Sequence, residues 1–163
     1  MRALFWTASL VFLIDQISKI YVLQVLKLDQ VKYIDVAAPF LTFQMAWNRG
    51  INFGIGAGMD MRWVLIGVAL AITVGVFIWL WRAGGTRWMM ISAGFLIGGA
   101  LGNVIDRVVY GAVADFLNMS CCGINNPFAF NIADIAIFIG AIGLAFLSDD
   151  SQGPKSKAKP KKT

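Results

Sequence analysis

The chain has 163 residues, 58% of them hydrophobic and 14% charged, with a mean hydropathy of +0.71. A soluble domain is nearer about 45–50% apolar and about 25% charged, so the composition excludes a soluble domain and reads as a polytopic membrane protein. The net charge of +5 does not point to nucleic acid, because five of the 14 basic residues are lysines in the last nine positions, KSKAKPKKT.

The first apolar run extends from Ala3 to Leu26. It is too long for a signal-peptide core and reads as an uncleaved spanning helix. Asp15 and Lys19 within it are four residues apart and share a helix face, which predicts an internal ion pair with a structural or positioning role. Residues 27–61 are amphiphilic. LTFQMAW, from Leu41 to Trp47, alternates with a period of two and predicts a strand, and Val31 to Val36 predicts another. A Gly-rich stretch, NRGINFGIGAG, follows from Asn48 to Gly58. No Walker lysine comes after it, so a small sheet on the membrane surface ending in a Gly-rich turn is the reading, over about residues 29–58.

Trp63 to Trp81 predicts a second, uncharged span with tryptophans at both interfaces. The short RAGGTR loop leads to a third span from Trp88 to about Arg107, and a fourth runs from about Phe128 to Leu147. Arg2, RAGGTR and the lysine tail all favour the cytoplasmic side. Both termini are then cytoplasmic, and residues 27–61 and the 108–127 loop face outward. Residues 1–150 read as one four-helix unit with the sheet between helices one and two, and residues 151–163 as a disordered basic tail able to touch membrane lipids.

Ionisable groups in a bilayer are costly and mark functional sites. The topology brings Asp115, in the loop after helix three, and Asp134, about one and a half turns into helix four, to similar depth at the outer face. Adjacent carboxylates cannot both ionise cheaply and share a proton, the arrangement of aspartic peptidases. The chain has no His and no Glu, so carboxylate chemistry must come from its nine Asp residues. That chemistry needs no metal and no cofactor. Asn103, Asp106 and Arg107 share one face of helix three, and Asn131 and Asp134 one face of helix four, predicting a polar pocket. Cys121 and Cys122 are adjacent, poor geometry for an ordinary disulfide, and read as small apolar side chains in a loop. The rival function is a small transporter or proton channel using Asp15, Lys19, Asp106 and Asp134 as a relay.

Five stretches in order, DQISK (Asp15–Lys19), WNRGINFGI (Trp47–Ile55), ALGNVIDR (Ala100–Arg107), VADF (Val113–Phe116) and FNIADIAI (Phe130–Ile137), resemble the bacterial lipoprotein signal peptidase, signal peptidase II. The resemblance implies an aspartic endopeptidase of the bacterial inner membrane. It would remove the signal peptide from diacylglyceryl-modified prolipoproteins, cutting just before the lipidated cysteine. It implies Asp115 and Asp134 as the catalytic pair, with Asn48, Gly50, Asn103, Asp106, Arg107 and Asn131 supporting the pair or the substrate. It also implies inhibition by peptides of the globomycin type. One departure stands out: the family's alanine-rich NxGAAF-like turn is NRGINF here.

Overall fold

A computed structural model of the chain describes residues 1–38, 40–50, 61–123 and 126–150. The Gly-rich stretch beyond Gly50 and the basic tail lie outside the described residues. Helix α1 (Arg2–Ile20) runs into a π-helical turn (Tyr21–Val25). A one-turn helix α2 (Leu28–Val31) follows, then strands β1 (Tyr33–Ala37) and β2 (Leu41–Asn48). Helices α3 (Met61–Ala83) and α4 (Arg87–Tyr110), strand β3 (Val113–Asn118) and helix α5 (Ile132–Asp150) complete the chain. Among the described residues, Arg2–Val25, Met61–Ala83 and Arg87–Tyr110 are helical, long and apolar enough to cross a membrane, and Ile132–Ser148 is a shorter apolar helix. The molecule is mainly helical with a small antiparallel sheet.

The bundle is built around α4, which packs against α1, α3 and α5. Small residues let the backbones close in, since helices in lipid associate by close packing rather than by the hydrophobic effect. A Cβ on Gly98 would lie 2.5 Å from the Ala8 carbonyl oxygen, and one on Gly102 would lie 2.5 Å from Asp15 Oδ2. Between α3 and α4, Gly84 takes the left-handed conformation, and Thr86 caps α4 by accepting a hydrogen bond from Met89 N at 3.2 Å. By contrast, α3 is apolar all round and leaves Trp63, Val68, Val74 and Ile78 exposed, as suits a helix facing lipid.

The sheet order is β1-β2-β3. The two strands expected from the sequence are present, but a third comes from the connection between α4 and α5. Asp115 is therefore on a strand, opposite Ala46 of β2, and not in a loop. The start of the last helix also differs from the reading of a span from Phe128. Phe130 instead pairs with Leu117, its carbonyl accepting from Phe116 N and Leu117 N at 3.0 and 2.8 Å. That pairing holds the chain extended until Asn131 caps α5, so Asp134 falls in the first turn. Phe116 joins Val22 and Leu28 in a small apolar core that fixes the sheet against the end of α1. The reading of Cys121 and Cys122 as apolar packing is also corrected. They are disulfide-bonded to each other and exposed, at a tight turn where Cys122 (φ 60°) and Gly123 (φ 83°) are left-handed.

Candidate active site

The ends of α1 and α4, the start of α5 and strand β3 converge at one end of the bundle. Each delivers polar side chains that its own local structure fixes. On α1, Asp15 and Lys19 are one turn apart, with Lys19 Nζ 2.7 Å from Asp15 Oδ2. The same ammonium lies 2.8 Å from Asp106 Oδ2 of α4 and donates to Asn103 Oδ1 at 3.3 Å. Asp15, Lys19 and Asp106 are all at most 2% exposed. Such burial is tolerable only when every charge is paired and hydrogen-bonded. The remaining acceptors are filled accordingly: Ala133 N donates to Asp15 Oδ1 at 2.9 Å, and Ala114 N to Asp106 Oδ2 at 3.2 Å. The ion cluster thus ties α1 to α4, to the first turn of α5 and to β3.

Gln16 belongs to this cluster and is not among the residues that the sequence singles out. Its Nε2 donates to Asp15 Oδ2 and Asp106 Oδ1, both at 3.1 Å. The available signal was an amide inside an apolar run, next to an acid; such a group must find a partner in the bundle.

In front of this cluster lie the two aspartates expected to react. Asp134 and Asn131 form a reciprocal cap on α5: Asn131 Oδ1 accepts from Asp134 N at 2.9 Å, and Asp134 Oδ2 accepts from Asn131 N at 3.3 Å. Asp134 Oδ1 accepts from Asn103 Nδ2 at 2.9 Å. A carboxylate in the first turn of a helix also faces the positive end of the helix dipole.

Asp115 is held from two sides. Asn131 Nδ2 donates to its Oδ1 at 2.6 Å, and Asn48 Nδ2 to its Oδ2 at 3.1 Å. Asn48 is fixed in turn by Gly50, whose N–H donates to Asn48 Oδ1 at 3.0 Å. Gly50 has φ 109°, and a Cβ there would lie 2.6 Å from Leu65 Cδ1, so this anchor requires glycine. Burial pushes the Asp115 carboxyl up to about 6, and the nearby charge of Asp134 adds to the rise; hydrogen bonds from Asn48 and Asn131 and the charge of Lys19 oppose it.

Asn103 and Asn131 join the two groups of charges. Asn103 Oδ1 accepts from Lys19 and from Asn131 Nδ2, both at 3.3 Å, while its amide donates to Asp134. Arg107 donates through Nη1 to the Asn103 carbonyl at 3.2 Å, and its buried Nε has no hydrogen-bond partner among the described residues. Arg107 and Asn103 stand at the polar end of an apolar groove of about 400 Å³ between α3, α4 and α5. The structure therefore brings all ten residues singled out in the sequence to one end of the molecule. Asp106 belongs to the ion cluster, and Asn48 and Gly50 reach the site from the end of β2. A clamp that the sequence does not reveal completes it: Asn118 Nδ2 donates to the carbonyls of Asn126 and Phe128 at 2.7 and 2.9 Å, fastening β3 to the approach to α5.

This fold and site define a class: a small helical membrane protein with buried acids and amides gathered at one end of its bundle and an apolar groove leading to them. Two solved structures, each of a bacterial membrane enzyme, share the fold. One has a TM-score of 0.75 and 28% identity, covering 98% of this chain and 96% of that one. The other has a TM-score of 0.78 and 26% identity, covering 90% and 92%. The family model described as signal peptidase (SPase) II matches residues 7–148. The lipoprotein signal peptidase of Methylorubrum extorquens is 42% identical over 126 residues, 74% of this chain and 69% of that protein. That of Alteromonas mediterranea is 36% identical over 162 residues, 96% and 87% of the two. The chain belongs to the signal peptidase II family and is a hydrolase, a membrane-embedded peptidase of lipoprotein processing.

Proposed function

We propose that this peptidase removes the signal peptide from diacylglyceryl-modified prolipoproteins by water attack at an Asp115–Asp134 pair, cutting just before the lipidated cysteine. The observation that carries the reading is Asn131. One buried amide side chain donates to Asp115 Oδ1 at 2.6 Å and accepts from Asp134 N at 2.9 Å. The Asn131 backbone N–H also donates to Asp134 Oδ2 at 3.3 Å, so one residue holds both carboxylates and fixes their spacing, as shared-proton chemistry requires. Asp115, raised to about 6, carries the shared proton and polarises the scissile carbonyl. Asp134 takes the proton from the attacking water. As the tetrahedral intermediate collapses, the proton on the pair passes to the leaving amine. Asn48, Gly50, Asn103, Asp106, Arg107 and Asn131 hold the pair or the substrate. Asp15 and Lys19 position α1 against them.

The apolar groove between α3, α4 and α5 takes the signal-peptide segment, with its cleavage end at Arg107. The unpartnered Nε of Arg107 donates to a substrate backbone carbonyl, which lipid cannot satisfy. Four spans place both termini in the cytoplasm and the pair at the outer face, where acyl chains anchor the cleavage point. Residues 1–150 form the catalytic unit and residues 151–163 a basic cytoplasmic tail that meets anionic lipid. Peptides of the globomycin type inhibit by filling the same groove. The test is cleavage of a diacylglyceryl-modified prolipoprotein by the purified chain, beside the same substrate with an unmodified cysteine. Cleavage of the lipidated form alone, abolished in Asp115→Asn and Asp134→Asn variants that stay folded, is the expected result. Retained cleavage in either variant refutes the pair.

A further inference from the structure

A second groove lies on the other side of α3, away from the candidate active site. Helices α1, α3 and α4 line an open groove of about 550 Å³, walled by Phe5, Phe12, Phe77, Ile97 and Leu101, with Ser9 and Thr73 as the polar exceptions. The void persists because α3 packs chiefly on α4 and meets α1 through aromatic edges. Phe5 of α1 and Phe77 of α3 are 6.1 Å apart, and within α3 the Phe77 ring is held edge-on by Trp81 at 5.5 Å. The same Phe5 and Phe77 line a further space of about 250 Å³ with Met1 and Trp81, and Trp81 borders another with Ile78 and Arg82. Neighbouring apolar grooves that share these side chains as walls therefore follow α1 and α3 from mid-helix to the end where α1 begins and α3 finishes.

That end is cationic. Arg2 and Arg82 are both exposed there, beside the amino terminus, and among the described residues neither is in an ion pair. Trp81 is 71% exposed at the same level, as is usual for an aromatic at a membrane interface. The Phe5–Phe77 contact closes the gap between α1 and α3, so a helix about 10 Å across has no room to insert there, whereas a single hydrocarbon chain can lie along the open groove against those rings.

We propose that the α1–α3 groove is a binding site for one anionic phospholipid, its acyl chain along Phe12, Phe5 and Phe77 and its phosphate at Arg2 and Arg82. Under the orientation proposed above, this lipid belongs to the cytoplasmic leaflet and adds to the Phe5–Phe77 contact that joins α3 to α1.

The test is native mass spectrometry of the purified full chain in detergent. Palmitoyl-oleoyl phosphatidylglycerol is titrated against phosphatidylcholine of the same chains. A basic residue at an anionic surface contributes about fivefold, so the two arginines predict a preference of about 25-fold for phosphatidylglycerol. Arg2→Gln with Arg82→Gln should abolish that preference. Val74→Trp, which fills the groove from an exposed position, should weaken both lipids about tenfold while leaving prolipoprotein cleavage unchanged. Equal binding of the two lipids, or unchanged binding in Val74→Trp, overturns the site. So does a dimer that Val74→Trp disperses, which would assign the groove to a second copy of the chain. Lipid binding is read without any cleavage, so this outcome is independent of the fate of the Asp115–Asp134 pair.

Discussion

Replacing Asp115 by Asn should inactivate the enzyme and at the same time remove the loss of stability that this carboxyl causes between pH 4 and pH 8. The carboxyl of Asp115 is raised from 3.8 to about 6, chiefly by burial. A raised folded-state pKa means that the folded protein binds this proton more tightly than the unfolded chain does. The associated stability is fully present below about pH 4 and is lost as pH rises through 6. A tenfold change in proton affinity corresponds to about 1.4 kcal/mol, so a rise of about two pH units sets an upper bound of about 3 kcal/mol for forcing the charge into place at pH 8. Asn is nearly isosteric and never ionises; its one oxygen accepts from Asn131 or Asn48, and its NH2 group opposes the other donor, a cost that is the same at every pH. Relative to wild type the variant should therefore stand about 1–3 kcal/mol better at pH 8 than at pH 4, or several degrees in unfolding temperature for a chain of this length. At pH 4 the wild type is protonated as well, and only the cost of the opposed amides separates the two proteins. Thermal unfolding in detergent between pH 4 and pH 8 measures this directly. A variant displaced from wild type equally at both pH values would refute the argument that burial of an ionised Asp115 is opposed by its surroundings.

The remaining predictions concern the scaffold of the site. Activity against pH should be bell-shaped, with two apparent pKa values that belong to the pair rather than to either aspartate; a flat profile from pH 4 to 8 in folded enzyme contradicts a shared proton. Lys19→Met leaves Asp15 and Asp106 facing each other unpaired, and should cost about 3–5 kcal/mol in unfolding experiments, while adding Asp15→Asn and Asp106→Asn to it should recover most of that loss. Gly102→Ala drives a methyl group towards Asp15 Oδ2 and should destabilise by about 1–3 kcal/mol, measured by denaturation, with a parallel fall in turnover. Asn131→Ala removes the α5 cap and the bridge between the aspartates; about 1–2 kcal/mol of stability should go, and kcat should fall far more than KM rises.

Much of this molecule is legible in its sequence. Hydropathy located the apolar helices to within a few residues, since a run of about 20 apolar residues has few alternatives to a helix in a bilayer. The period-two pattern of Leu41–Trp47 located β2, and the four-residue spacing of Asp15 and Lys19 gave their ion pair because the helical repeat is local. What the sequence did not contain was any long-range pairing. Nothing local to VADF makes it a strand; it becomes one because β2 and Phe130 offer their backbones to it, and this carries Asp115 from a loop into a sheet. The same pairing delays α5 until Asn131, so Asp134 becomes a capping residue rather than one deeper in the helix. Gln16 is visible as a letter, but its two carboxylate partners lie on different helices. The residue types and their local spacing determined which groups could do chemistry. Only the tertiary structure decided which of them meet, because hydrogen bonds between Asn103, Asn131 and the aspartates join segments that no periodicity connects.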